Sequence, residues 1–162
     1  MTTLVNDQAS VSVVVVDTDI VTARKKAREL AIELGFPRSE GTLLATAVSE
    51  LARNLIQYAG GGTIALNAVY RAGRCGITVR VEDQGPGIAD VSLALQDGFS
   101  TSGGLGLGLP GVKRLMDELE IDSDLGQGTR IVATLWGPAV RPQRTERAES
   151  PQQGAKKKRR AR

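Results

Sequence analysis

Ser102-Gly-Gly-Leu-Gly-Leu-Gly-Leu-Pro-Gly-Val-Lys-Arg-Leu115 is the stretch on which the reading of this chain turns, with glycines at 103, 104, 106 and 108. Glycine costs about 1 kcal/mol relative to alanine in a helix interior, so the run reads as a loop until Val112, Leu115, Met116 and Leu119 set a helical spacing. A bare loop running into a helix N-terminus presents unpaired N–H groups with the helix dipole behind them, an arrangement that attracts anions, phosphate above all.

Two phosphate-loop patterns fail on it. Gly106-Leu-Gly108-Leu-Pro-Gly111 is a literal GxGxxG, but a dinucleotide fingerprint follows a hydrophobic strand, and here Asp97-Gly-Phe-Ser-Thr-Ser-Gly is polar. A P-loop needs Gly-Lys followed by Ser or Thr, and the chain contains neither pair. A flexible connector without a ligand is the plain alternative.

Composition limits the field. With 162 residues and 41 % apolar content, the chain is expected to form one soluble domain with a single core. No run approaches the roughly 20 apolar residues of a membrane span, and the start has neither the basic nor the apolar part of a signal peptide. Cys75 is the single cysteine, so no intrachain disulfide is possible and the expected compartment is the cytoplasm. The absence of histidine removes His-based triads, His metal sites and any phosphohistidine relay within the chain.

The charge divides sharply. Residues 139–162 hold nine Lys or Arg and two Glu, net +7, which leaves twelve basic and sixteen acidic residues, net −4, for the rest. The basic character belongs to the tail, which after Pro138 is polar enough to be read as disordered. Its Lys156-Lys-Lys-Arg-Arg-Ala-Arg end suits either contact with nucleic acid or an acidic surface, or a solubilising appendage.

The periodicities give an order of elements. Val11 to Val16 reads as a strand. A helix from about Ile20 to Leu34, capped by Thr18 or Asp19, carries Ile20, Ala23, Ala27, Leu30, Ala31 and Leu34 at helical spacing. A second, from about Glu40 to Tyr58 and capped by Ser39, gathers Leu44, Val48, Leu51, Ala52 and Leu55 on one side. Glu50, Arg53, Asn54 and Gln57 fall on another, in one polar stripe that could equally be a solvated face. Thr63 to Tyr70 and Ile77 to Val81 read as a hairpin with a loop of about six residues. The second strand feeds Asp83-Gln-Gly85-Pro-Gly87, a turn that brings backbone close to a carboxylate. A short helix at Asp90 to Gln96, the glycine-rich loop, a helix from about Leu109 to Glu118, and strands at Ile121 to Ser123 and Thr129 to Trp136 complete the chain.

Taken in order, Glu50-x-x-x-Asn54 on a helix, Asp83-x-Gly85-x-Gly87 at a strand end, Gly104-x-Gly106-x-Gly108 before a helix, and Gly126-x-Gly128-Thr129 before the last strand resemble the four boxes of the GHKL ATPase and kinase superfamily. The segments Ala47-Val-Ser-Glu-Leu-Ala-Arg-Asn-Leu55 and Glu82-Asp-Gln-Gly-Pro-Gly-Ile88 look like the RsbT-type switch-protein serine/threonine kinases, as does Asp97 through Glu118. The resemblance covers about residues 10 to 137 and divides the chain into an N-terminal extension (1–10), a kinase domain (11–137) and the basic tail (138–162).

The resemblance implies an α+β Bergerat fold, a two-layer sandwich in which helices cover one face of a mixed, mostly antiparallel sheet, with an ATP lid. It implies ATP and Mg²⁺, with Asn54 as the magnesium ligand and Glu50 as the base that takes the proton of an incoming hydroxyl. Asp83 would accept from the adenine amino group, Gly85 and Gly87 would let the ring approach, and Thr129 would bond near the base. Ser102, Gly103, Gly104, Leu105, Gly106, Leu107 and Gly108 would line the phosphates, with Arg53, Lys113 and Arg114 as candidate cations. By the same resemblance the substrate is a STAS-domain antagonist, and the released kinase activates a PP2C-type phosphatase. The related alternatives are an anti-sigma factor that binds a sigma subunit and phosphorylates an anti-anti-sigma protein, or a non-catalytic ATP-dependent binding module.

Overall fold

The structure, a computed structural model, describes residues 4–5, 9–96 and 108–138. The expected lid residues Ser102 to Leu107 and the tail beyond Pro138 lie outside them. In chain order the elements are β1 (Leu4–Val5), β2 (Ser10–Val14), α1 (Asp17–Glu33), α2 (Arg38–Asn54), a π-helical turn (Leu55–Ala59), β3 (Gly62–Arg71), β4 (Arg74–Asp83), α3 (Val91–Ala94), α4 (Gly108–Leu115), β5 (Glu118–Asp124) and β6 (Gly128–Trp136).

The strands form one sheet in which β1 and β2 pair with successive stretches of β3, followed by β4, β6 and β5. The expected mixed, mostly antiparallel sheet is antiparallel at every pairing among the described residues. Alternation decides its faces. Ile64 and Leu66 on β3, Ile77, Val79 and Val81 on β4, and Ile131, Ala133 and Leu135 on β6 enter one core with Leu44, Val48 and Leu51 of α2 and Val112 of α4. Ala23, Ala27 and Ala31 give α1 a stripe without bulk, and a Cβ placed on Gly41 of α2 would stand 3.5 Å from that of Ala31. Small residues thus let the two longest helices lie close over the sheet.

Several boundaries depart from the periodicity for identifiable reasons. Val15 and Val16 leave the strand because their N–H groups donate to the Asp19 carboxylate at 2.9 and 3.0 Å, which starts α1 at Asp17. Those two bonds hold the Asp19 carboxyl below its ordinary range. Ser39 does not cap α2; Pro37 precedes a helix that begins at Arg38. The β3–β4 loop is two residues rather than six. Ala72 and Gly73 have φ of 51° and 73°, as a type I′ turn requires, and Arg71 pairs directly with Arg74. Glu118 opens β5 instead of ending α4, because Asp117 donates its N–H to Thr134 O at 2.9 Å and accepts from Trp136 N at 2.7 Å. Leu4–Val5, within the segment read as an extension, pairs with Tyr70 and Val69.

The sheet face turned away from the helices carries its own small cluster. Trp136 lies over Gly76, where a Cβ would come within 2.7 Å of the indole, and the Arg71 guanidinium stacks 4.4 Å from the ring centroid. Arg71 also pairs with Glu118, whose carboxylate accepts from the indole N–H at 3.1 Å. The Arg71 bond, helped by the indole, holds the Glu118 carboxyl below its ordinary value of 4.5. A lowered folded pKa means that this pair stabilises the protein above the unfolded value and loses its effect as pH falls through the folded one. A half-exposed pair of this kind contributes about 0.5 kcal/mol. Urea unfolding near neutral pH should therefore place Glu118→Gln about 0.5 kcal/mol below the wild type, with the gap closing as the pH is lowered below 4.5. A gap that persists in acid would assign the effect to packing alone.

Candidate active site

Asp83 ends β4 opposite Thr129 of β6, and its side chain shares the parity of Val79 and Val81, so it points toward the helices. One carboxylate oxygen, Oδ1, accepts from Gly85 N at 2.8 Å and from Thr129 N at 3.2 Å. The first bond closes the turn after the strand, and the second ties that turn across the sheet. No bond from the described residues falls on Oδ2.

Glycine is demanded here by backbone packing. A Cβ on Gly87, whose φ is 76°, would lie 2.2 Å from Asp124 O, and one on Gly128, with φ of 87°, would lie 2.1 Å from Asp83 O. Gly85 stands where a Cβ would come within 2.7 Å of that of Ala59. The turn after β4, the β5–β6 turn and the end of the α2 segment therefore interlock at distances that no other residue permits.

Ser123 completes this corner and was not singled out from the sequence. Its Oγ accepts from Ile88 N at 2.8 Å, donates to Gly128 O at 3.1 Å and lies 2.8 Å from Thr129 Oγ1, which then serves as donor. The available signal was its place in Leu119-x-Ile121-x-Ser123, a polar residue at the third core-facing position of an edge strand. A depression of about 210 Å³ at this end of the sheet is lined by Asp83, Ser123 and Thr129 together with Glu82, Asp122 and Arg130, which alternate onto the face turned away from the helices.

The stripe on α2 is divided. Glu50 is buried, with 8 % of its surface exposed, while Arg53 and Asn54 are half-buried. Gln57 is exposed, because the π-helical turn after Asn54 rotates the residues that follow out of the stripe. The Glu50 carboxylate accepts from the Arg53 guanidinium on Oε1 and from Gly108 N, the first residue of α4, at 3.3 Å on Oε2. Glu50 is thus withdrawn from solvent, while the far end of the stripe at Gln57 stays solvated.

Asn54 and Asp83 lie on the same side of the molecule. A Cβ on Gly62 would be 2.7 Å from a methyl of Leu55, the residue after Asn54, and 3.2 Å from Cβ of Asp83. The structure therefore brings Glu50, Arg53, Asn54, Asp83, Gly85, Gly87, Gly108 and Thr129 to one end of the helix layer and sheet. Lys113 and Arg114 are exposed in the last turn of α4, at the end opposite Gly108, where their charge complements the helix dipole.

The donor chemistry suits magnesium held jointly with a ligand. Among the described residues no group of three or more Asp, Glu, Cys or His is placed to cage a metal. Asn54 offers one neutral oxygen, as fits an ion that keeps several waters and shares phosphate oxygens. Among the described residues no helix is long and apolar enough to cross a membrane.

Comparison with known proteins agrees with this geometry. The family model described as histidine kinase-, DNA gyrase B-, and HSP90-like ATPase matches residues 39–138. The serine/threonine-protein kinase RsbT of Bacillus subtilis (strain 168) is 51 % identical over 131 residues, which are 81 % of this chain and 98 % of that protein. An anti-sigma F factor of Caldanaerobacter subterraneus subsp. tengcongensis is 35 % identical over 120 residues, 70 % of this chain and 82 % of its own. The crystal structure of the RsbU and RsbW domains of Rv1364c from Mycobacterium tuberculosis shares the fold at a TM-score of 0.56 and 20 % identity, over 82 % of this chain and 34 % of that one. With Glu50, Asn54, Asp83 and Thr129 at one end of an antiparallel sheet, the chain belongs to the histidine kinase-, DNA gyrase B- and HSP90-like ATPase family, in its RsbT-type serine/threonine-kinase branch.

Proposed function

We propose that the chain is a partner-switching kinase that passes the terminal phosphoryl group of ATP, in the presence of Mg²⁺, to a serine or threonine of a STAS-domain antagonist. Released from that antagonist, it binds and activates a PP2C-type phosphatase. The observation that carries the reading is the buried Glu50 carboxylate beside the first amide of α4, one helical turn from the Asn54 amide.

Bound ATP supplies the phosphoryl group, and bound Mg²⁺ offsets the charge of its phosphates. Asp83, oriented by its two backbone bonds through Oδ1, presents Oδ2 to an exocyclic amino group, which selects adenine over a base carrying a carbonyl there. Thr129 adds a hydroxyl beside it. Asn54 provides the protein oxygen for the metal, and Gly108 and the glycine run before it provide backbone donors for phosphate. Glu50 takes the proton of the attacking hydroxyl, with Arg53 fixing its carboxylate. Lys113 and Arg114 have no part in this assignment. The anti-sigma F factor relatives favour a second reading, in which the partner is a sigma subunit and the substrate an anti-anti-sigma protein.

The test is to incubate the purified chain with γ-labelled ATP, Mg²⁺ and either a STAS antagonist or an anti-anti-sigma protein. Label on serine or threonine of the first supports the proposal, label on the second alone moves it to the sigma branch, and binding without transfer overturns catalysis. Asp83→Asn keeps an oxygen for Gly85 and Thr129 but puts an NH₂ against the adenine donor. Calorimetry should show ATP binding weakened about ten- to hundredfold, in a protein that circular dichroism finds folded, with a melting temperature lowered by the loss of charge on the oxygen that Gly85 and Thr129 share. Asn54→Ala should abolish the difference between ATP binding with magnesium and with chelator; a preserved difference removes it from the metal site. Glu50→Gln should slow transfer by about 10² to 10⁴.

A further inference from the structure

A buried carboxylate needs partners, and what Glu50 has chosen as its second partner bears on how the site of the proposed function is filled. Among the described residues the buried polar side chains are Ser12, Glu50 and Thr134, and Glu50 is the charged one. Arg53 satisfies Oε1 from within α2, whereas Oε2 reaches another helix, accepting at 3.3 Å from Gly108 N. Gly108 opens the eight-residue α4, and the N–H groups of a first helical turn have no partner within their own helix. Glu50 is therefore an anion already seated on the donor at which the glycine run ends.

One N–H cannot serve two anions at full strength, and a phosphate brought to it would also face the Glu50 charge. Resting on the nucleotide-binding reading above, we propose that Glu50 competes within the molecule with the nucleotide's phosphates for the Gly108 amide. Without nucleotide its carboxylate caps α4. A phosphate that takes the amide displaces Oε2, and that oxygen becomes the free acceptor for a hydroxyl proton. Arg53 keeps the carboxylate in place through Oε1 during the exchange. The proton acceptor is thereby freed by occupancy of the phosphate site, so that binding and readiness for transfer are one event. This gives Glu50 a cost in affinity as well as a role in rate.

The exchange is tested by titrating ATP, and adenosine as a phosphate-free control, into the full-length wild type, Glu50→Gln and Glu50→Ala, with circular dichroism confirming the fold. Both variants are expected to bind ATP about three- to tenfold more tightly than the wild type while binding adenosine equally. Folded variants that bind ATP no more tightly than the wild type overturn the competition. A second readout does not depend on the variants folding: the Gly108 backbone amide resonance of the wild type should move on saturation with ATP and stay in place with adenosine. An unmoved resonance at saturating ATP overturns the proposal. A wild type that binds adenosine but shows no gain from phosphates overturns it as well, whereas one that binds neither fails the nucleotide reading itself.

Discussion

The arrangement depends on a single carboxylate oxygen. Oδ1 of Asp83 holds two N–H groups that arrive from different parts of the chain, one from the turn after its own strand and one from β6. Hydrogen bonds to a charged acceptor are each worth about 1.5 to 3 kcal/mol, roughly twice a neutral one. The end of the sheet is thereby fixed where strands ordinarily fray. The same two bonds orient Oδ2, so the contact that organises the corner also fixes where the second carboxylate oxygen points.

Around that oxygen the backbone is packed too tightly for side chains. Gly87 lies against the Asp124 backbone, Gly128 against that of Asp83, and Gly85 against the Ala59 methyl, so three connections from three regions of the chain meet where glycine alone fits. Ser123 ties the remaining polar groups, giving and receiving hydrogen bonds with Ile88, Gly128 and Thr129. The helix layer reaches this corner through the π-helical turn after Asn54, which ends at Gly60 with φ of 72°. A π-helical insertion in an α-helix commonly marks a functional position, because it redirects side chains without breaking the helix. Here it separates the buried Glu50 and half-buried Asn54 from Gln57, which faces solvent.

The sequence is most legible where physics is local or strictly periodic. Alternation in Ile77-x-Val79-x-Val81 and Ile131-x-Ala133-x-Leu135 names the buried face of two strands that lie side by side in the sheet. Helical spacing names the buried residues of α2. The boundaries were less legible, since each answers to a partner distant in sequence or to a conformation the residue type does not announce. Asp19 draws Val15 and Val16 out of the strand, Asp117 is taken into the ladder by Thr134 and Trp136, and Ala72 adopts a left-handed φ that alanine ordinarily avoids.

By itself the sequence determined the order of strands and helices from β2 onward, the four glycine- and acid-bearing boxes with the likeness they carry, and the absence of a P-loop lysine and of any histidine. These follow from spacing, and spacing is written in one dimension. Only the tertiary structure decided that Glu50 is buried on the first amide of α4, that Asp83 spends one oxygen on two strands' worth of backbone, that Ser123 belongs to the corner, and that Lys113 and Arg114 lie at the far end of their helix. Each of these is a contact between segments that the chain keeps apart, and such contacts exist only once the sheet's register and the helix packing have set the distances.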